Sequence, residues 1–278
     1  MTDVTIITVA YNSEGVLPAM LASVPDGTPV VIVDNASRDP QALDDFATRC
    51  TIVRNDVNQG FGRACNLGAA KATTPWLLFL NPDAELDASA LYAFLTSAQR
   101  FPQASAFNPR FLDRNGNQTF RRRSKLAPPE QRFDGPLPKD DVEIPTLLGS
   151  AIFVSKAHFD ALGGFDERIF LYHEDDDLAL RLSEHGPLML CHGAVVTHHE
   201  GRGSPRTPET AALKAFHMAR SRVYAYTKHG HSGALRSTLV RGALGLLSPM
   251  MLSARKRAKH WGFFKGAISA VQDGGRYE

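Results

Sequence analysis

Hydrophobic positions in the first third of the chain gather into four short runs: VTIITVA (4 to 10), VVIVD (30 to 34), TIVRN (51 to 55) and WLLFLN (76 to 81). Each is nearly continuous in apolar, β-branched character rather than alternating, the pattern of strands covered on both faces of a parallel sheet. The intervals read as helices, among them GRACNLGAAKA (62 to 72) and DASALYAFLTSAQRF (87 to 101), with Asp87 placed to cap the second. Strand and helix in alternation predict an open α/β sheet. Ligands of such sheets bind beyond the carboxyl ends of the strands. Polar residues stand at those ends: Tyr11 and Asn12, Asp34 and Asn35, Asn55, then Asn81, Pro82 and Asp83. Any one of these reads equally well as a turn starter, but their recurrence along one rim points to a binding edge.

Past residue 110 the pattern changes. RRRSK (121 to 125) precedes a stretch holding Pro128, Pro129, Pro136 and Pro138. It reads as a mobile loop over the site, its arginines either a solvated face or contacts for an anion. In FLYHEDDDLALRL (170 to 182), Glu174 and Asp175 to Asp177 crowd together before an apolar stripe. On a helix over 174 to 184, Leu178, Ala179 and Leu182 fall three, four and seven residues after Asp175, which turns Asp175 toward the protein. Asp177 faces Arg181 four residues on, as a solvent-side ion pair. Glu174 and Asp176, in the first turn, also complement the helix dipole. An inward Asp without an evident cation, held near other carboxylates and partly desolvated, binds a proton more tightly than usual, which suits a general base. From about residue 210 the chain reads helical and basic, ending in ARKRAKHWGFFKGAISAV (254 to 271). There Arg255, Lys256, Arg257 and Lys259 mix with Trp261, Phe263 and Phe264, which suits an anionic membrane surface or a helix packing its aromatics on the domain.

A chain of 278 residues is long enough for one large domain or two small ones, and a formal charge of +2 makes no argument for nucleic acid. Cys50, Cys65 and Cys191 are odd in number and dispersed, which speaks against a disulfide framework or a zinc cluster and fits a reducing cytoplasm. The N-terminus enters a strand at once with no signal-peptide pattern, and no run reaches the roughly 18 apolar residues of a membrane span.

The segments TVAYNSE (8 to 14), VVIVDNASRD (30 to 39), NQGFGRACNLG (58 to 68), FLNPDAEL (79 to 86), GGFDERIFLYHEDDDLALRL (163 to 182) and VVTHHEGRGS (195 to 204) together resemble glycosyltransferase family two. More narrowly they resemble its bacterial rhamnosyltransferase-like members, which build cell-surface polysaccharide. The resemblance covers about residues 3 to 225. It implies a GT-A fold: a Rossmann-like, mostly parallel sheet flanked by helices, with a nucleotide-sugar half over about 1 to 105 and an acceptor half over about 106 to 210. Residues 211 to 278 follow as a helical, basic extension.

By the same resemblance, Tyr11, Asn12 and Asp34 contact base and ribose, and Asn58, Gly60 and Asn66 lie along the nucleotide and donor sugar. Asn81 and Asp83 occupy the places of the family's DxD pair, with Asp83 holding a divalent cation, Mg²⁺ or Mn²⁺, on the diphosphate; Asn81 removes one anionic ligand. His198, with His199 as the alternative, is the further metal ligand. Asp175, in the ED motif with Glu174, is the catalytic base of an inverting transfer. The implied partners are a dTDP- or UDP-linked donor, with dTDP-L-rhamnose favoured, and a glycan or lipid-linked glycan acceptor. The protein would then be cytoplasmic, with peripheral contact on the inner face of the cytoplasmic membrane.

Two rivals remain at this stage. GFGRAC (60 to 65) approaches the dinucleotide fingerprint of a nicotinamide oxidoreductase, but it does not follow the first strand and ends in Cys65. The other is a non-catalytic sugar-nucleotide or glycan-binding protein that keeps the fold without the chemistry.

Overall fold

In the computed structural model, which describes residues 3–199 and 207–272, the four apolar runs form strands β1 (Val4–Ala10), β2 (Val30–Asn35), β3 (Thr51–Asn55) and β4 (Trp76–Leu80). They pair in parallel in the order β3-β2-β1-β4. Every residue of β1 and β2 is buried, as continuous apolar runs require. β3 departs from that expectation: it is the sheet's edge and none of its residues is buried. Helix α1 (Leu17–Ser23) lies between β1 and β2, a 3-10 helix (Pro40–Phe46) between β2 and β3, and α2 (Phe61–Ala69) between β3 and β4.

Beyond β4 come β5 (Ala84–Leu86), α3 (Ala90–Arg100), β6 (Ala106–Leu112), the short β7 (Gln118–Thr119) and β8 (Val142–Glu143), then β9 (Ala151–Ser155), α4 (Lys156–Ala161), α5 (Glu174–Ser183) and β10 (Leu188–His198). β9 enters antiparallel between β4 and β6, and β10 runs parallel to β6, so the sheet is parallel in its first half and mixed in its second. Asp87 is not the cap expected of it: α3 starts at Ala90 after Ser89, and Asp87 accepts hydrogen bonds from the Ser89 amide and hydroxyl in the preceding turn.

Apolar side chains fill both faces of the sheet. On one, Phe153 stacks between Trp76 and Phe94, each ring centroid 4.8 Å away. On the other, Phe79, Phe159 and Phe165 pack with Leu178, Ala179 and Leu182, the predicted inner stripe of α5, all fully buried.

The C-terminal region folds as α6 (Pro208–Lys228), α7 (Ala234–Leu246), a 3-10 turn (Pro249–Leu252) and α8 (Ala254–Gln272). Thr207 caps α6 through its hydroxyl, which accepts from the Thr210 amide. α8 lies directly on α6 because it turns two glycines toward it. A methyl carbon on Gly262 would stand 2.3 Å from the Ala212 carbonyl oxygen, and one on Gly266 2.2 Å from that of Phe216.

Candidate active site

The carboxyl ends of β1, β2 and β4 open onto a cavity of about 270 Å³. Its base is built from amides. Asn35, 3% exposed at the end of β2, donates to the Asn58 side chain (2.9 Å) and the Gly60 carbonyl (3.0 Å), and accepts from Asn55 and the Gln59 amide (3.0 Å each). This network fixes the 55 to 60 loop where it turns into α2. Gly60 closes the turn at φ 86, with its Cα so near the Phe170 carbonyl that an added methyl carbon would stand 2.2 Å from the oxygen. No other residue fits there. Tyr11, Asn58, Gly60, Asn81 and Asp83 all line the cavity, as does Lys214, carried in by α6.

At the far wall, the antiparallel pairing of β5 with β10 sets Ala84 opposite His198 and so brings Asp83 to it, Nε2 of the imidazole 3.2 Å from the Asp83 carboxylate. Nδ1 of His198 lies 3.2 Å from the Ser150 hydroxyl, which orients the ring. His199 turns the other way, to Glu85 at 2.9 Å. Among the described residues no three His, Cys, Asp or Glu side chains gather as a closed metal site. One carboxylate and one imidazole nevertheless suit an ion whose remaining ligands come from a diphosphate and water.

Gly149, the neighbour of Ser150, links this wall to α5. Its amide donates to Asp175 (3.2 Å), and Nη1 of Arg121 donates to the same carboxylate oxygen (2.9 Å). Asp175 therefore does have a cation, contrary to the expectation from sequence. The other arm of Arg121 meets Asp176 at 2.5 Å, where the Ser124 hydroxyl also donates (2.7 Å). Burial opposes ionisation of Asp176, but the His173 imidazole, Arg121 and Ser124 hold its pKa at about 2.

Asp177 is the second correction. It pairs with Arg181 as predicted (2.9 Å), but it is wholly buried, and Lys228 (2.6 Å) and His229 (2.8 Å) from the end of α6 meet it too. Against its burial, His229, Arg181 and Lys228 bring its pKa to about 2. The carboxyl that holds its proton is Glu174, whose burial, reinforced by the charge of Asp175, raises its pKa to about 8. Tyr172 and His173, at φ 67 and 71, bend the chain sharply into this helix. A left-handed pair of non-glycine residues costs energy and is held in place by the surrounding contacts.

A model of the family described as "Glycosyl transferase family 2" matches residues 5–163. The chain belongs to that family. An N-acetylglucosaminyl-diphospho-decaprenol L-rhamnosyltransferase of Mycobacterium tuberculosis is 31% identical over an alignment covering 92% of this chain and 95% of the relative. Among solved structures, TarS 1-349 of S. aureus in complex with UDP-GlcNAc superposes with a TM-score of 0.57 at 16% identity, covering 100% of this chain and 93% of the other. Mannosyltransferase PcManGT from Pyrobaculum calidifontis, in complex with GDP-Man and Mn2+, gives 0.57 at 15%, covering 98% and 87%. These likenesses show the GT-A fold.

Within this glycosyl transferase frame the predicted site residues divide. Tyr11, Asn58, Gly60, Asn81, Asp83 and His198 come together around one cavity. Asn12, Asp34 and Asn66 are not among its walls: Asn12 and Asp34 fasten the 35 to 38 turn through Ser37 and Arg38, and Asn66 ties α2 to both polar backbone atoms of Phe165. Asp175 is not among the cavity's walls either: it accepts from the amide of Gly149, whose neighbour Ser150 meets His198, and Glu174 is buried. The end of the 195 to 204 motif lies outside the described residues. Arg121 and Lys214 were not assigned to the site from sequence. Arg121 belonged to a visible basic cluster; nothing marked Lys214, because only the packing of α6 puts it there.

Proposed function

We propose that the protein transfers a sugar with inversion from a nucleoside diphosphate to a hydroxyl of a lipid-linked glycan, with dTDP-L-rhamnose the favoured donor. The observation that carries this is the Asp83–His198 pair on a cavity wall, joined through Ser150 and Gly149 to Asp175. Residues 1–210 form the catalytic unit in this reading and residues 211–278 an extension. The rhamnosyl donor and lipid-diphosphate acceptor are favoured by the Mycobacterium tuberculosis relative, whose name carries both; a UDP-hexose is the second donor class, after TarS.

The amide-built end of the cavity, with Tyr11, Asn58 and Gly60, receives the nucleoside, leaving the diphosphate near Asp83 and His198. These two would hold Mg²⁺ or Mn²⁺, which when bound supplies positive charge to the diphosphate. Asp175 takes the proton of the acceptor hydroxyl as that oxygen attacks the anomeric carbon from the face opposite the leaving group. Arg121 and the Gly149 amide hold one carboxylate oxygen and the Asp176 amide donates to the other, so Asp175 keeps one orientation.

No helix among the described residues is long and apolar enough to cross a membrane. Contact with a lipid-linked acceptor is then peripheral, through the basic C-terminal helices.

The test is thermal unfolding of the full chain with dTDP-, UDP- and GDP-sugars, each with Mg²⁺, Mn²⁺ or EDTA. A ligand that binds only the folded state raises the midpoint. A metal-dependent rise with dTDP-rhamnose supports the reading; a rise with a UDP-hexose instead moves the donor class. Folded protein that responds to none favours a binding protein of the same fold.

A further inference from the structure

Lys214 is brought by α6 into the cavity that holds Asp83 and His198. It is half-buried, and burial draws its pKa below the ordinary lysine value. Asp83 is close enough for its charge to oppose that effect, and Arg255 at the start of α8 adds to it. Lys214 is thus a cation in the wall of the same cavity as the Asp83–His198 pair. It is well suited to an anion that enters the cavity.

The charge balance of the site points the same way. Asn81 stands where the family pattern has an acid, so Asp83 and His198 offer an ion a lightly charged set of ligands. A nucleoside diphosphate sugar carries about two negative charges and gains another on departure, and hydrogen bonds from a cation to phosphate are among the strong ones. The Lys214 ammonium supplies such a bond without depending on metal occupancy.

We propose that Lys214 is a donor-binding residue that contacts the diphosphate. Its ammonium donates a hydrogen bond to a diphosphate oxygen. When the bond from the anomeric carbon to the phosphate oxygen breaks, the electron pair stays on that oxygen as part of the nucleoside diphosphate. Lys214 keeps its proton throughout, and the proton lost by the acceptor goes to Asp175. This inference rests on the reading of the cavity as the donor site.

The experiment is calorimetric titration of the full chain, and of Lys214→Met and Lys214→Arg, with dTDP and UDP and with the nucleosides thymidine and uridine, in EDTA and in Mg²⁺. For the nucleotide that the unaltered chain binds, Lys214→Met weakens binding roughly tenfold to a hundredfold in both conditions, the range of a lost charge-assisted hydrogen bond. Nucleoside binding is unchanged, which shows the cavity intact, and Lys214→Arg stays within about threefold of the unaltered chain, because its guanidinium still meets phosphate. Diphosphate binding by Lys214→Met within about twofold of the unaltered chain overturns the proposal, as does an equal loss of nucleoside binding, which marks a structural role. If the unaltered chain binds neither diphosphate, the donor-site reading fails and this inference falls with it.

Discussion

Arg121 spans the carboxylates of two consecutive residues, Asp175 at 19% exposure and Asp176 at 1%, and so separates their roles. Asp176 is structural, fully engaged by Arg121 and Ser124. Asp175 keeps contact with solvent and with the cavity side through Gly149. If Asp175 is the base, Asp175→Asn lowers transfer by roughly a hundredfold or more while donor affinity, read by calorimetry, holds. Transfer at near the normal rate would remove Asp175 from the mechanism. Glu174 offers a separate test through stability. Its pKa, raised from 4.5 to about 8 in the folded state, means the folded chain binds the proton more tightly than the unfolded chain. That contribution is complete below pH 4.5 and is lost as pH rises toward 8. Glu174→Gln removes the titration, so the melting-point difference between variant and unaltered chain shifts in the variant's favour across that window; a difference flat with pH counts against a buried, protonated Glu174. The sequence made the apolar stripe of Leu178, Ala179 and Leu182 legible, because that periodicity depends only on neighbours along the chain, but Asp175, placed on the inner face with it, is the least buried of the four acids. Arg121 lies 54 residues away, and no local pattern states which carboxylate such a cation will reach.

At the scale of elements, α6 joins three parts of the molecule. Its first turns enter the cavity with Thr210, Leu213 and Lys214. Its last turn ties to α5, Lys228 meeting both Asp177 (2.6 Å) and Asp166 (2.7 Å), with Tyr224 also on Asp166 (2.8 Å). Its outer face receives α8 on Gly262 and Gly266. Removing one partner from a buried ion cluster leaves the others uncompensated, typically at about 3–5 kcal/mol. Asp177→Ala is therefore expected to lower stability by about that much, measured by chemical unfolding, with α6 becoming accessible to protease near Lys228; a loss below about 1 kcal/mol would deny the cluster this role. Gly266→Leu separates α8 from α6 without touching the cavity, and limited proteolysis around Ser253 reads the release. The strands of the first half and the core of α5 were plain in the sequence because their patterns are periodic and local. The edge position of β3, the antiparallel entry of β9 and the burial of Asp177 were not, since each is set by what packs against the element rather than by the element itself.

At the scale of the whole molecule, charge and apolar surface are unevenly divided. Between Glu209 and Asp273 the sequence holds no Asp or Glu, while Lys and Arg recur throughout. In the same region the end of α7, the 3-10 turn and the facing part of α8 expose Leu244 (63%), Leu247 (81%), Leu252 (90%) and Trp261 (47%). The aromatic tail was expected either to meet a membrane or to pack on the domain, and the structure divides it: the glycine face of α8 packs on α6, and Trp261 stays half-exposed. Exposed leucines beside cations, on elements whose sequence holds no Asp or Glu, suit an anionic bilayer, where apolar side chains enter the interface and lysines and arginines meet lipid headgroups. In the proposed reading that position would set the cavity at the membrane surface, since Arg255 in this patch is near enough to Lys214 in the cavity wall for its charge to lower the lysine's pKa. The full chain should therefore float with vesicles containing anionic lipid, less so with neutral phosphatidylcholine vesicles, and progressively less as salt screens the attraction. Leu247→Asp with Leu252→Asp lies on exposed positions that support no packing, so the fold and nucleotide binding are expected to persist while flotation falls by about an order of magnitude, as two leucines lost from an interface imply. Equal flotation of the variant and the unaltered chain would place the membrane contact, if any, elsewhere; flotation of neither would leave the exposed leucines without a lipid partner and overturn peripheral docking by these helices.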